Sequence, residues 1–415
     1  MAARALGLIL SAAGLWQLGC LRAEAADQRY AIEAAPILSS PANGTTGVSL
    51  ATTLAWNASA GATSYTLQVS TDSSFASFVL NQSGITATSR SLSGLAPATT
   101  HYWRVSATNG SGTSGWSTVW SFTTAAVVWT TRAPMTTARS NAGYAVVNGK
   151  VFILGGEVST GQINVVEEYD PATNTWATKT PLLSSRENHG AAVVNDKIYC
   201  MGGIGAGGWG LRTVEEFDPA TSAWTTKDNM PTGRYDLAVA VVSNKIYAIG
   251  GYTYTSGSGR LAVVEEYDPA TGSWTAKASM PTARDDMTAA AVNNKIYVIG
   301  GSSAGGVSNA VEEYDPAANT WASKASLPTR RKGLKHTTAV VNGKIYVIGG
   351  NDAVFLATVE EYDPATNTWR SRTAMPTPRG ALAVAVVNNL IYAIGGKNSA
   401  TYFNLVEQYD PSLDP

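Results

Sequence analysis

From about residue 50 onward, short apolar runs alternate with clusters of Gly, Ser, Thr, Asn and Asp. A run such as Ile296, Tyr297, Val298 and Ile299, closed by Gly300 and Gly301, predicts a short buried strand followed by a turn. Runs that read hydrophobic-polar in alternation, as at 64–69 and 102–106, predict strands with one buried face. The whole chain therefore predicts an all-β protein.

Over 127–411 the pattern repeats. Double glycines begin at Gly155, Gly202, Gly250, Gly300, Gly349 and Gly395, at steps of 47, 48, 50, 49 and 46 residues. After each comes Val-Glu-Glu-Tyr-Asp-Pro or a close variant, with its aromatic at Tyr169, Phe217, Tyr267, Tyr314, Tyr362 and Tyr409. Six residues after the Asp stands Trp176, Trp224, Trp274, Trp321 or Trp369, and the sixth copy reaches Asp410 and Pro411 without one. Trp129 precedes the first copy, and ten residues separate it from Arg139, the spacing of every later Trp to its Arg. Residues 127–131 are thus predicted to be the outer strand of the sixth unit, pairing with the C-terminal strands and removing an open sheet edge.

A hydrophobic strand, Gly-Gly, and spaced Tyr and Trp resemble the kelch repeat over essentially all of 127–411. The resemblance implies a six-bladed kelch-type β-propeller, in which each four-stranded blade buries its faces only against its neighbours. Residues 36–124 carry predicted strands at 53–56, 64–69, 102–106 and 120–124. Trp56 on an early strand, the approach from Leu95 and Pro97 to Tyr102, and Ser114-Gly115-Trp116-Ser117 resemble a fibronectin type III-like β-sandwich. That resemblance implies a spacer or adaptor; His101 is expected on the strand surface.

Charged residues make up 14% of the chain and the net charge is -1, with no long basic block. Nucleic acid and acidic membranes are therefore not expected partners. Residues 1–25 read as a signal peptide: Arg4, an apolar run from Ala5 to Leu18, and Ala23-Glu24-Ala25 before the expected cleavage. Residues 26–35 are a linker. The apolar run is too short to span a bilayer comfortably, so no transmembrane segment is expected. The protein is expected to be secreted, periplasmic or at the cell surface; Leu18-Gly19-Cys20 also offers a possible lipid anchor at Cys20. If Cys20 is lost with the signal peptide, Cys200 remains alone, and it is expected to be a small core residue.

An Arg recurs in all six copies, at Arg139, Arg186, Arg234, Arg284, Arg331 and Arg379. These read either as a ring of channel-mouth arginines, an anion funnel, or as buried partners of Glu167, Glu215, Glu265, Glu312, Glu360 and Glu407; strict recurrence favours the second. Departures from the repeat are the better site signal. The fifth copy spans 18 residues from its Arg to its Gly where the others span 16, and the two extra residues lie in the basic segment that holds Arg330, Arg331, Lys332 and Lys335. This is either a solvated bulge or a carboxylate or sulfate subsite. His189 and His336, each thirteen residues before a Gly-Gly, fall in opposite blades and are expected to be wall histidines too far apart to share a metal.

The loops after Gly-Gly carry unrepeated groups: Trp209 with Arg212, Tyr252 with Tyr254 and Arg260, Phe355, and Tyr402 with Phe403. The kelch resemblance implies that these loops open on a binding face, where aromatics stack on sugars or anchor a protein. The leading reading is an extracellular binding or adhesion module for a protein or glycan. The alternative is a sugar-acid mutarotase or epimerase at the channel mouth, drawing its acid and base from Arg186 with Glu187 and His189, or Arg284 with Asp285 and Asp286. No catalytic residue, metal or cofactor is assigned.

Overall fold

The computed structural model describes residues 34–254 and 259–414. The signal peptide expected over 1–25, Cys20 with it, and all but the last two residues of the linker lie outside the described residues. Within them every element is a strand except the short 3-10 turn Pro411–Leu413, and no helix is long and apolar enough to cross a membrane. The chain divides into two compact units that meet at Val127 and Val128.

In the first unit a three-stranded sheet, Leu38–Ser40, Thr52–Trp56 and Ser89–Leu92, shares a hydrophobic core with a second sheet. The second sheet runs in the order Thr45–Val48, Trp120–Thr124, Thr100–Asn109, Ser64–Ser70, Leu80–Ile85, with Gly112–Thr113 paired to its longest strand. Alternation decides who is inside. His101 lies on the same face of Thr100–Asn109 as Trp103 and Val105, so it is buried rather than on the strand surface, as the sequence had suggested. Its ring stacks on Phe122 at 5.3 Å and its Nδ1 meets the Thr99 carbonyl at 3.0 Å. Tyr102 points the other way, and its hydroxyl makes no hydrogen bond among the described residues. On the outer surface the Arg104 guanidinium stacks over Phe75 and Trp116, at 4.1 and 4.6 Å.

The second unit is propeller-like: six four-stranded antiparallel sheets whose first strands neighbour one another in cyclic order, the sixth returning to the first. The first sheet runs Gly143–Val147, Lys150–Leu154, Val166–Asp170, Thr175–Lys179. Each opening hairpin turns through two residues at positive φ, such as Asn148 and Gly149 or Asn293 and Asn294, the conformation of a two-residue turn that matches strand twist. The sixth sheet takes Ala383–Val387, Leu390–Ile394 and Val406–Tyr409 from the C-terminal end and Trp129–Arg132 from before the first sheet, with Trp129 opposite Tyr409 and Arg132 opposite Val406.

Core clusters lie between sheets rather than within them. Leu154 and Val166 of the first sheet pack with Ile198, Cys200 and Phe217 of the second, and Ile153 and Tyr169 pack with Ala385, Tyr392 and Val406 of the sixth. Burial pushes the Cys200 thiol well up, which keeps it protonated and inert. Six indole N–H groups stitch neighbouring sheets by donating to a carbonyl of the segment before them: Trp176 to Ala133, Trp224 to Thr180, Trp274 to Asp228, Trp321 to Ala278 and Trp369 to Ala325, at 2.8–3.1 Å. Trp129 completes the set across the closure, bonding Thr373 at 3.0 Å.

Candidate functional site

The six recurrent arginines are not at a channel mouth. All are buried, at 0 or 1% exposure, and each forms an ion pair with the Glu two residues before the repeat aromatic. Arg284 is typical, with Nη2 2.7 Å from Glu312 Oε2 and Nη1 2.7 Å from the Gly300 carbonyl. A hydroxyl shares each carboxylate; Thr282 and Thr329 reach theirs at 2.9 and 2.8 Å. An anion funnel built from these side chains is excluded by their burial. Arg331, expected also in the basic subsite, is held by Glu360 and lost to it for the same reason.

Two residues beyond each Arg the backbone turns left-handed, at Asn141, Asn188, Asp236, Asp286, Gly333 and Ala381, with φ between 53° and 65°. Asn, Asp and Gly tolerate this conformation best. The amide of each such residue bonds the carbonyl of the one before it around the ring: Asn188 to Asn141, Asp236 to Asn188, Asp286 to Asp236, Ala381 to Gly333 and Asn141 to Ala381, each at 3.0 Å. In the fifth sheet Leu334 donates to Asp286 instead, at 3.2 Å. The six bonds form a closed backbone collar at the end of the ring where the Gly-Gly loops emerge.

The insertion of the fifth sheet passes through this collar. Leu334 fills the core slot beside Gly300 and Gly350 that Met287 fills beside Gly250 and Gly301, so the residues in excess are Lys335 and His336. This corrects the alignment of His336 with His189, whose structural counterpart is Leu334, and it corrects the distance between them. With φ 62°, His336 turns into the ring and its Nε2–H donates to the His189 carbonyl at 2.8 Å. The His336 carbonyl accepts from Val384 N at 2.8 Å, and its ring lies edge-on to Tyr144 at 5.6 Å. Lys335 Nζ reaches Asp236 and Asp286 at 2.6 and 2.8 Å and is 8% exposed. Five of the six sheets are thereby gripped from one, and the bulge plugs the ring rather than standing in solvent.

Around the plug the mouth is charged. A pocket of about 250 Å³ is lined by Lys332, Lys335 and Lys397 with Asp286, Asn351 and Phe355. Lys397 pairs with Glu157 at 2.8 Å and lies over the Tyr402 ring at 5.5 Å, whereas Lys332 has no ion pair among the described residues. Asn141, in the lining of the same pocket, bonds Glu157 at 3.1 Å and Glu187 at 3.3 Å, and Arg260 pairs with Asp285 at 2.9 Å. Burial raises the Glu187 and Asp285 carboxyls. Burial also pushes Asp236 up to about 6, with the Asp286 carboxylate adding to the rise against the opposing pull of the Lys335 ammonium. Among the described residues no three metal-ligating side chains converge.

Of the loop residues, Trp209, Tyr252 and Tyr254 come together and recruit Tyr235, which the sequence reading passed over. Tyr235 packs on Tyr252 and Tyr254 at 5.5 and 5.4 Å, and Trp209 meets Tyr254 edge-on at 6.3 Å. Trp209 is 62% and Tyr254 47% exposed. Tyr235 stands directly after a repeat Arg, where the six copies carry Ser140, Glu187, Tyr235, Asp285, Lys332 and Gly380; that variability beside an invariant residue was the signal available. Lys332, Lys335 and Phe355 come together in the cationic pocket, and Arg212, Arg330 and Phe403 are engaged elsewhere. Arg212 Nε donates to the Met230 carbonyl at 2.7 Å, Arg330 pairs with Asp352 at 2.9 Å, and the Phe403 main chain holds Arg139 at 3.1 Å. Phe355 lines both the cationic pocket and an apolar notch of about 350 Å³ with Val354 and Pro378.

The plug carries a pH signature. Burial lowers His336 to about 4 and His189 well below its ordinary value. Both are neutral when folded yet protonate near 6.5 when unfolded, so their contribution is present above pH 6.5 and drains as pH falls toward 4, by about 3 kcal/mol for His336. Asp236 works the other way, its protonated form gaining as pH falls through 6. Thermal midpoints of the wild type should fall more steeply between pH 6.5 and 4 than those of His336→Gln; parallel curves would remove His336 from the account.

The family model described as the KLHDC2/KLHL20/DRC7 Kelch-repeats domain matches residues 108–251 and 225–396. The solved structure of YjhT aligns with a TM-score of 0.58 at 17% identity, covering 66% of this chain and 95% of that one, a likeness of fold. No curated protein matches the chain. With the matched segments spanning most of the chain and the repeat geometry underlying them, this chain belongs to the kelch-repeat family.

Proposed function

We propose that this chain is an exported binding module: a fibronectin type III-like sandwich over 36–124 followed by a six-bladed propeller closed by its own N-terminal strand, whose loop face reads a protein or glycan. The observation that carries the reading is the cluster of Trp209, Tyr235, Tyr252 and Tyr254, which leaves two large rings open to solvent beside a charged mouth. Rings so placed present flat apolar area flanked by hydrogen-bonding groups, the chemistry that stacks on sugars and anchors protein partners. Export rests on the N-terminal sequence alone.

The test is a glycan array and a cell-surface pull-down with the full chain, Trp209→Ala and Tyr254→Ala. Because Trp209 is exposed, its removal should leave the unfolding midpoint within about 0.5 kcal/mol of wild type and weaken binding at least about tenfold. Binding unchanged in both variants would sink the proposal.

A second reading, a sugar-acid mutarotase or epimerase, draws on the pocket in which Lys332, without an ion pair among the described residues, stands with Asp286. Anomer or epimer exchange of uronic and sialic acids, followed by NMR and abolished by Lys332→Ala, would favour it over the binder.

A further inference from the structure

The collar and its plug divide the interior of the ring in two. On the loop side lies the charged mouth. Below the plug lies a separate tunnel of about 340 Å³, lined by the first strands of the six sheets. Among the described residues its lining holds no acidic, Lys or Arg side chain: apart from Tyr144, His336, Thr288 and Thr338, every one is Ala, Val or Leu. The inward positions are part-exposed along its length, Val146, Val193 and Val386 near the hairpin turns and Tyr144, Ala191, Val239 and Ala289 nearer the collar. At the collar end His336 lines the tunnel, and its carbonyl accepts from the amide of the fully buried Val384.

Its polar groups are not equally committed. Thr288 and Thr338 bond each other at 2.9 Å, and Thr338 also donates to the Ala289 carbonyl at 3.0 Å. His336 spends its Nε2–H on His189, which leaves Nδ1 as a bare acceptor, and the Tyr144 hydroxyl has no hydrogen bond among the described residues. One acceptor and one hydroxyl therefore remain available at the collar end of the tunnel, beside a wall of aliphatic side chains.

We propose that this tunnel binds a small uncharged aliphatic molecule bearing one hydroxyl group, its chain along the Ala and Val wall and its hydroxyl donating to His336 Nδ1 while accepting from Tyr144. The volume lies near the lower end of those that hold small molecules. A charged head group is excluded because nothing in the lining would pair with it once water is displaced. The site is independent of the loop face, from which the plug separates it.

The test is ligand-observed saturation-transfer NMR on the full chain at pH 7 with hexanol, hexanoate and hexylammonium, three probes of equal chain length that differ in head charge. Saturable binding is expected for hexanol alone. Tyr144→Phe should weaken it about three- to tenfold, the worth of one hydrogen bond. Ala289→Phe, which fills the tunnel, should abolish it, and Val146→Phe near the hairpin turns serves the same purpose if the first variant does not fold. The proposal is overturned if hexanol does not saturate, if the charged probes bind equally well, or if hexanol binding survives a folded tunnel-filling variant, which would place it elsewhere on the surface.

Discussion

Arg284→Ala is expected to lose about 3–5 kcal/mol of stability, the cost of leaving one half of a buried ion pair alone. Its guanidinium is fully buried and bonds the Glu312 carboxylate and the carbonyls of Gly300, Ala310 and Val298 together, at 2.7, 2.7, 3.1 and 3.4 Å. Alanine leaves that carboxylate with the Thr282 hydroxyl as its one remaining side-chain partner among the described residues, and three carbonyls with nothing from this side chain. Urea midpoints of the wild type, Arg284→Ala and the double variant Arg284→Met with Glu312→Leu would measure it. The double variant should recover much of the loss, since desolvating two charges costs nearly what their attraction returns. The same substitution at Arg139, Arg186, Arg234 or Arg379 should behave alike, because each has the same Glu and the same buried surroundings. A loss below about 1 kcal/mol, the range of an exposed pair, would contradict the burial on which the argument rests.

A chain beginning at residue 133 should be less stable than one beginning at residue 127 by several kcal/mol, because four register pairs and the packing of the part-buried Trp129 are lost together. The lost strand, Trp129–Arg132, contributes four register pairs, the Trp129 ring against Tyr409 at 4.9 Å, the indole bond to Thr373, and the Arg132 bond to Gln408 at 2.6 Å. Its removal also exposes Val406–Tyr409 as an unpaired edge, so the shorter chain should associate through it. Comparing the two truncations isolates the strand from the first unit, which both lack. Equal midpoints and equal sedimentation behaviour would show that the ring does not depend on this closure.

Most of the fold was legible because it is written six times. A residue needed in every sheet, such as the Arg, its Glu, the Gly-Gly or the Trp, recurs at constant spacing, and the displaced Trp129 marks where the ring closes. The candidate site was legible only in part, because function sits where the copies differ. Trp209, Tyr252 and Tyr254 stood out as unrepeated aromatics, but Tyr235 hid beside a repeated Arg, and nothing in its neighbourhood showed that a loop would bring the others to it. The insertion near Lys335 could be counted, yet counting back from Gly-Gly matched His336 with His189. Packing shows that Leu334 takes the core slot and that the two extra residues turn inward.

The sequence by itself determined the all-β class, the sixfold repeat, and which side chains every sheet shares, because burial between identical neighbours imposes identical demands at each step. Only the tertiary structure decided where the exceptions go. Lys335 meets Asp236 across 99 residues of chain and His336 meets His189 across 147, and such partners are chosen by closure of the ring, not by any local pattern. The plug, the tunnel beneath it and the four-ring aromatic cluster all depend on contacts of that kind.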